Sequence, residues 1–130
     1  MIKQFIITRC DLKLRKGAIG AQIEHAGLLF IMERVAECPV IERHDDGGVV
    51  VALSLDKDEF QWLRRPSNLV VLRAETKEQF LDIERQLGEA GLYPYVWTEE
   101  DLNDEPTAMA VGPLDEELAR PILGGLKLLQ

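Results

Sequence analysis

Hydrophobic positions change from strand spacing to helix spacing early in this 130-residue chain. Residues 3–9 (KQFIITR) are rich in β-branched and aromatic side chains and predict a strand. From Gly17 to about Ala36, apolar side chains recur every three or four positions, which predicts a long helix. Because apolar residues occupy two neighbouring stripes of that helix, we expect other elements to cover it on most sides.

The middle of the chain carries turn and cap signals between shorter elements. Pro39 and the polar residues 42–48 predict a surface loop. Residues 49–55 (VVVALSL) fit a strand and the start of a helix equally well, so their conformation stays open. Asp56 begins a capping box (DKDE) and predicts a capped short helix, which Pro66 ends.

The second half of the chain repeats the alternation of strand and helix. The apolar run at residues 69–74 predicts a central strand, and Thr76 starts a helix that Gly91 closes. Pro94 within residues 92–97 (LYPYVW) favours an edge strand or a bulge there. An acidic loop (TEEDLNDEP), a last strand (TAMAV) and a short helix with acidic residues in its first turn follow.

This order of elements predicts the α/β class. We expect a single three-layer domain over residues 1–130, with a mixed sheet of about four strands and helices on both faces. Hydrophobic residues make up 46% of the chain and charged residues 29%, as in ordinary globular proteins. The net charge of −8 argues against general adhesion to nucleic acids or anionic membranes.

The apolar runs and the two cysteines of the chain bear on its cellular location. No apolar run approaches the roughly 20 residues of a membrane helix, and the first residues lack the pattern of a signal peptide. Cys10 and Cys38 do not form a metal-binding cluster and predict reduced thiols in a cytoplasmic protein. A redox or nucleophilic role of Cys10 is the alternative, because neighbouring basic residues would lower the pKa of its thiol.

Positive charge is concentrated where the first strand leads into the first helix. Residues 1–16 contain five basic residues and one acidic residue, although the whole chain is acidic. A helix start offers unpaired backbone N–H groups and the positive end of a dipole. Lys13, Arg15 and Lys16 add mobile charges, and Gly17 lets a ligand approach the backbone closely. The junction therefore predicts a site for a phosphate, a carboxylate or a developing oxyanion.

The same stretch, DLKLRKGAIGAQIEHA, resembles the signature of the type 2 peptidyl-tRNA hydrolase family, D-L-K-M-x-K-G-K-x-A-A-Q-x-x-H-A. Near the other end, TAMAVGPLDEEL is similar to the family's T-V-L-x-I-G-P-x-P segment, and GLKLL to its terminal H-L-K-L. The family's fold, a mixed sheet between helices, agrees with the predicted order. Family members hydrolyse the ester that joins a peptide to the 3′ ribose of tRNA. The resemblance therefore implies peptidyl-tRNA as partner, a homodimer, and no metal or cofactor.

The resemblance also implies roles for individual residues. Lys16 takes the position of the family's catalytic lysine, and the Gln22 amide is expected to orient water or the substrate carbonyl. Lys13, Arg15 and Gly17 are expected to bind the substrate at the helix start. His25 is a further candidate for substrate binding. A structural role stays open for it, because it lies on the apolar stripe one turn deeper than Gln22.

Several positions depart from the family pattern. Ala18 replaces the second lysine, Gly125 replaces the terminal histidine, and the D-A-G-R-T-Q loop that supplies an acid and a threonine is absent. In this respect WTEEDLNDEPTAMAV looks more like a divergent branch labelled peptidyl-tRNA hydrolase domain-containing. Glu99 is the expected substitute for the missing acid, followed by Glu100 and Asp101. The alternative function is that of a weakened or inactive homologue that binds tRNA, another anion or a protein.

Overall fold

The structure, a computed structural model, describes residues 1–65 and 68–130. Its elements are β1 (Ile2–Arg9), α1 (Lys16–Glu37), β2 (Val40–Arg43), β3 (Val49–Val51), α2 (Lys57–Arg64), β4 (Leu69–Ala74), α3 (Lys77–Glu89), β5 (Tyr95–Glu99), β6 (Glu105–Asp115) and α4 (Glu116–Leu123). A single 3-10 turn, Glu100–Leu102, separates β5 from β6. The predicted α/β class is confirmed.

Four strands form one mixed sheet in the order β4-β1-β6-β5. β1 is parallel to β4 and antiparallel to β6, which in turn is antiparallel to β5. Alternate side chains of β1 separate two cores: Phe5 and Ile7 pack with α3 and α4, whereas Ile6 packs with Ala26 of α1. α1 and α2 thus lie on one face of the sheet and α3 and α4 on the other, so helices cover both faces, as predicted.

The apolar run of β4 lies at an edge of the sheet, so the prediction of a central strand is wrong. Backbone hydrogen bonds join Arg73 to Lys127 and Leu129 to Val71, so the end of the chain covers the outer edge of β4. A covered edge needs no charged or interrupted sequence to prevent pairing with another chain. The sequence of β4 therefore resembles that of a central strand. The other edge is β5, as the proline before it predicted.

The predicted loop after α1 is partly wrong, because β2 and β3 form a hairpin there. Its turn includes Gly47, whose φ of +94° favours glycine. The ambiguous residues 49–55 begin with β3 and have no regular structure from residue 52 onward. The capping box of α2 is confirmed, since Asp56 and Glu59 exchange both hydrogen bonds. Pro66, predicted to end this helix, lies outside the described residues.

α1 is less covered than its two apolar stripes predicted. One stripe packs on the sheet, while a second apolar strip of the same helix is exposed. The buried residues are Gln22, Ala26 and Phe30, and the exposed apolar residues are Leu28, Met32 and Val35. The expectation of cover on most sides is wrong for the isolated chain, because α1 lies on one face of the sheet and, of the helices that the structure describes, α2 contacts it there through Glu59 and Arg34. None of the described helices is long and apolar enough to cross a membrane.

Candidate active site

The start of α1 is open to a ligand. Arg15 is the N-cap residue, but its side chain makes no capping hydrogen bond, and the first turn of this fully described helix contains no acidic residue. The positive end of the helix dipole is therefore not neutralised from within the helix. Apart from its chain neighbours and the adjacent backbone of α1, no atom of the described residues lies within 4 Å of the position that a Cβ on Gly17 would take. An anion can thus approach the first-turn N–H groups.

Part of the positive charge near the amino terminus is not available at this helix start. Lys3 lies at the opposite end of β1 and pairs with Glu116 at 2.6 Å. Arg9 is buried and pairs with Asp11 and Glu105. Its charge is balanced within the fold, as burial of a guanidinium requires.

Lys13, Arg15 and Lys16 are exposed and form no ion pair with any residue in 1–65 or 68–130. Lys13 has a φ of +53°, in the left-handed region that is uncommon for a residue with a side chain. Asp11 does not neutralise Lys13, because its carboxylate is engaged by Arg9. We call these three cations the helix-entrance cations.

The register between β5 and β6 shifts by one residue, and this shift turns the side chain of Thr107 toward α1. Trp97 of β5 pairs with Ala108 of β6, and the next pair skips one residue of β6 and joins Thr98 to Pro106. Strict alternation along β6 would place the Thr107 side chain on the α3 face, with the core residues that follow it. The additional residue turns that side chain to the other face, where it is buried against α1.

Three polar side chains then form one hydrogen-bonded chain. Thr107 Oγ1 donates to Gln22 Oε1 at 2.7 Å, and Gln22 Nε2 donates to Glu99 Oε2 at 2.9 Å. The indole Nε1 of Trp97 also donates to Glu99 Oε2, at 3.4 Å. Thr107 and Gln22 are buried and Glu99 is half-buried, so the chain leads from the interior to the surface. Both ends of the buried amide are satisfied, which fixes its orientation.

Glu99 belongs to a strand and not to the predicted acidic loop, so that part of the loop prediction is wrong. It is the last residue of β5, directly opposite Glu105, the first residue of β6. The pairing of β5 with β6 continues to this point and leaves only a short connection. Glu100 and Asp101 lie in that connection and are exposed, and only the backbone N–H of Asp101 contacts Glu99.

These hydrogen bonds favour the ionised form of Glu99. The bond from Gln22, first, and then that from Trp97 lower the pKa of Glu99 below its usual value, and the backbone N–H of Asp101 adds to this effect. A carboxylate with a lowered pKa is charged at neutral pH. It accepts hydrogen bonds from water readily but is a weak base.

His25 contributes to the same cluster through Trp97. The two ring centroids are 4.4 Å apart, so the imidazole packs against the indole that donates to Glu99. The buried Nδ1 of His25 has no hydrogen-bond partner among the residues that the structure describes. Trp97 thus contacts both His25 and the candidate acid Glu99.

The structure brings Gln22, Glu99 and His25 together and leaves Lys16 apart from them. Lys16 precedes Gln22 by six residues, which places it about 9 Å along the helix axis and about 120° around it. Ala18 lies one turn before Gln22 on the same stripe. A lysine at this position, as in the family signature, would point toward the cluster. Within the described ranges, no three His, Cys, Asp or Glu side chains are grouped so that they could hold a metal ion.

Comparison with known proteins decides the family. A family model described as "Peptidyl-tRNA hydrolase PTH2" matches residues 2–129. The chain belongs to this family. The resemblance found in its sequence is confirmed.

Relatives of this family member align with it from end to end. A protein named "Peptidyl-tRNA hydrolase" from Methanopyrus kandleri is 31% identical over 135 aligned positions, covering 100% of both chains. Proteins of the same name from Methanothermobacter thermautotrophicus and Thermococcus onnurineus are 30% and 27% identical, and each covers 98% of this chain. The alignments cover 100% and 97% of those two relatives, respectively.

A solved structure supports the fold alone. It is that of a protein of unknown function from Agrobacterium tumefaciens, which superposes with a TM-score of 0.60 at 17% identity. The match covers 98% of this chain and 97% of the other.

Sequence reasoning missed Thr107 as a member of the candidate site. The available signal was the threonine that begins the family's T-V-L-x-I-G-P segment, which Thr107 matches in place. Its contact with Gln22 depends on the register shift in β6. No local pattern distinguishes a threonine that is turned to the other face from one that follows the alternation of a strand.

Replacing Gln22 by leucine should raise the pKa of Glu99 toward its ordinary value, because the main hydrogen bond that favours the carboxylate is lost. Ionised Glu99 stabilises the fold above its unfolded pKa, and this stabilisation disappears as pH falls through the lowered folded pKa. The stability difference between the two proteins should therefore shrink in acid. Side-chain carboxyl NMR titration of both proteins measures the shift.

Gln86→Leu is the matched control, because Gln86 bonds Asp82 on the other side of the sheet. It should leave the pKa of Glu99 unchanged. An unchanged pKa of Glu99 in Gln22→Leu would refute the assigned hydrogen bond.

Proposed function

We propose that this chain hydrolyses the ester between a peptide and the 3′ ribose of tRNA. Its family, and the names of its relatives, support this reaction. The observation that carries the proposal is the Glu99 carboxylate held 2.9 Å from the Gln22 amide. This arrangement supplies an oriented acid although the family's usual acidic loop is absent.

Ester hydrolysis requires a water molecule directed at the carbonyl carbon and a group that stabilises the resulting oxyanion. We assign Glu99 to the water, which donates a hydrogen bond to its carboxylate. Gln22 and Trp97 hold that carboxylate in place. Because the pKa of Glu99 is lowered, its main contribution is to orient the water. The proton lost by the attacking water passes to solvent, and the 3′ oxygen takes up a proton from solvent when its bond to the acyl carbon breaks.

The helix entrance supplies positive charge to the same substrate. We assign Lys16 and the open N–H groups of the first turn to the oxyanion or the last phosphate of the tRNA. Lys13 and Arg15 contact neighbouring phosphates, and Gly17 leaves room for them. His25 borders the substrate beside Trp97. Since tRNA carries peptides during translation, we expect the chain to act in the cytoplasm.

Glu99→Gln should lower kcat on N-acetyl-aminoacyl-tRNA by about 100-fold, because a neutral amide orients water poorly. Lys16→Ala should lower kcat/KM by a similar factor of about 100, because a positive charge at the developing oxyanion is lost. On the acid side, activity should fall as pH approaches the lowered pKa of Glu99. Release of labelled amino acid under single-turnover conditions measures these effects.

Glu100→Gln and Lys127→Ala are matched controls, since both residues are exposed and lie outside the proposed site. A folded Lys16→Ala protein with undiminished turnover would overturn the role of Lys16. Salt-sensitive tRNA binding by the unmodified chain without ester cleavage would contradict hydrolysis. It would identify a binding module instead.

We further propose that the chain forms a homodimer through α1 and the β2–β3 hairpin. Leu28, Met32 and Val35 form an exposed apolar strip of α1, and Val40, Ile41, Val49 and Val50 are exposed on the hairpin. An isolated two-stranded hairpin is marginal in water, so covering it adds stability. An apolar surface of this kind marks an interface.

Met32→Glu with Ile41→Glu should convert the dimer to a monomer at micromolar concentration, because two charges would be buried without partners. Sedimentation equilibrium measures the change. Leu81→Glu, at an exposed position of α3, is the control and should remain dimeric. An unmodified chain that sediments as a monomer would disprove the dimer.

A further inference from the structure

A second group of unpaired cations lies on α2. The chain has 23 acidic and 15 basic residues, so basic side chains have many carboxylates available to them. Nevertheless, Lys57, Arg64 and Arg65 form no ion pair with any of the described residues. All three are exposed. We call them, with Phe60 and Gln61, the α2 patch.

The α2 patch is one continuous surface. Its five residues line a shallow hollow of about 430 Å³ on the outer face of the helix. The guanidinium of Arg64 lies 5.5 Å from the centre of the Phe60 ring, and 52% of Phe60 is exposed. A cation–π contact restricts the guanidinium while leaving its N–H groups free to donate. The patch therefore presents at least one positive group that is already oriented.

The acidic residues of α2 lie away from the α2 patch. Glu59 is buried and pairs with Arg34 of α1 at 2.6 Å. Asp58 lines a different hollow, beside Tyr95. Trp62 Nε1 donates to Asn68 O at 3.2 Å and attaches the helix to the sheet. The outer face of α2, as far as the structure describes it, consequently carries cations without carboxylates.

The α2 patch lies far from the helix entrance. Asn68 O, which anchors Trp62, also accepts the backbone N–H of Gln4, near the amino end of β1. The helix entrance follows the opposite end of the same strand. From Gln4 to Arg9, at the end of β1 that leads to the helix entrance, the strand rises by about 17 Å over five residues. A single small anion cannot contact both sites, whereas an extended polyanion can.

We propose that the α2 patch binds phosphates of the double-helical arm of tRNA while the 3′ end lies at the helix entrance. This inference rests on the proposed function and adds a second point of contact. Phosphate contacts of this kind position a nucleic acid without reading its sequence. A chain with a net charge of −8 repels RNA generally, so binding depends on local groups of unpaired cations. The α2 patch is such a group. The exposed aromatic ring in it, that of Phe60, packs against the guanidinium of Arg64.

The test compares two triple variants that change the net charge equally. Lys57→Gln/Arg64→Gln/Arg65→Gln removes the α2 patch, and Arg85→Gln/Arg120→Gln/Lys127→Gln removes cations elsewhere. Each is assayed on N-acetyl-aminoacyl-tRNA and on the same acyl ester of a single nucleoside. The patch variant should raise KM for the tRNA substrate roughly tenfold, with kcat unchanged. Its kcat/KM on the nucleoside ester, and both constants of the control variant, should stay within about twofold of the unmodified chain.

The salt dependence of binding to deacylated tRNA gives an independent readout. The slope of log Kd against log salt concentration should decrease by about 3 in the patch variant, as expected for three lost contacts to phosphates of a double helix. It should remain unchanged in the control variant. An unchanged slope and an unchanged KM in the patch variant would overturn the proposal. The α2 patch would then be assigned to contact with a protein partner. Equal losses in both variants would also overturn it, because they would show only an effect of net charge.

This readout separates the two proposals. If the unmodified chain binds tRNA but cleaves neither ester, the hydrolase proposal fails, and the slope still decides the role of the α2 patch. If it cleaves both esters and the patch variant is normal on tRNA, only the present inference fails.

Discussion

The candidate site depends on one additional residue in β6. The register between β5 and β6 shifts at Thr107, so that its hydroxyl faces α1 and not the core on the other side of the sheet. That hydroxyl holds the oxygen of the Gln22 amide, and the amide nitrogen is then directed at Glu99. An amide that is fixed at one end becomes a reliable donor at the other. The position of the candidate acid and its lowered pKa both follow from this hydrogen-bonded chain.

The surrounding fold restrains the same corner of the sheet from the other side. Arg9, buried at the end of β1, donates to Glu105 and to the backbone oxygen of Pro106, the residues just before Thr107. Lys77, at the start of α3, pairs with Glu105 as well. These contacts fix the first residues of β6, where the register shifts. The buried arginine thus supports the fold, and the exposed helix-entrance cations remain available to a substrate.

Much of the scaffold could be predicted from the sequence because it follows local rules. The alternation of elements predicted the mixed sheet, and the capping box at Asp56 predicted the start of α2. The family motif led to Gln22, and the absence of the family's acidic loop led to Glu99 as a substitute. The errors have non-local causes. β4 resembles a central strand because the end of the chain covers its edge, and α1 has an apolar strip that the isolated chain leaves exposed. Likewise, the role of Thr107 follows from pairing between strands, which no short stretch of sequence encodes.

The central claim is that Thr107 acts on the substrate only through Gln22 and Glu99. A double-mutant cycle of Thr107→Val and Glu99→Gln, with kcat measured in single turnovers on N-acetyl-aminoacyl-tRNA, tests it most directly. Thr107→Val alone should lower kcat by roughly tenfold, and adding it to Glu99→Gln should cause almost no further loss. If the two losses multiply, or if Thr107→Val retains full activity, the hydrogen-bonded chain does not position the candidate acid.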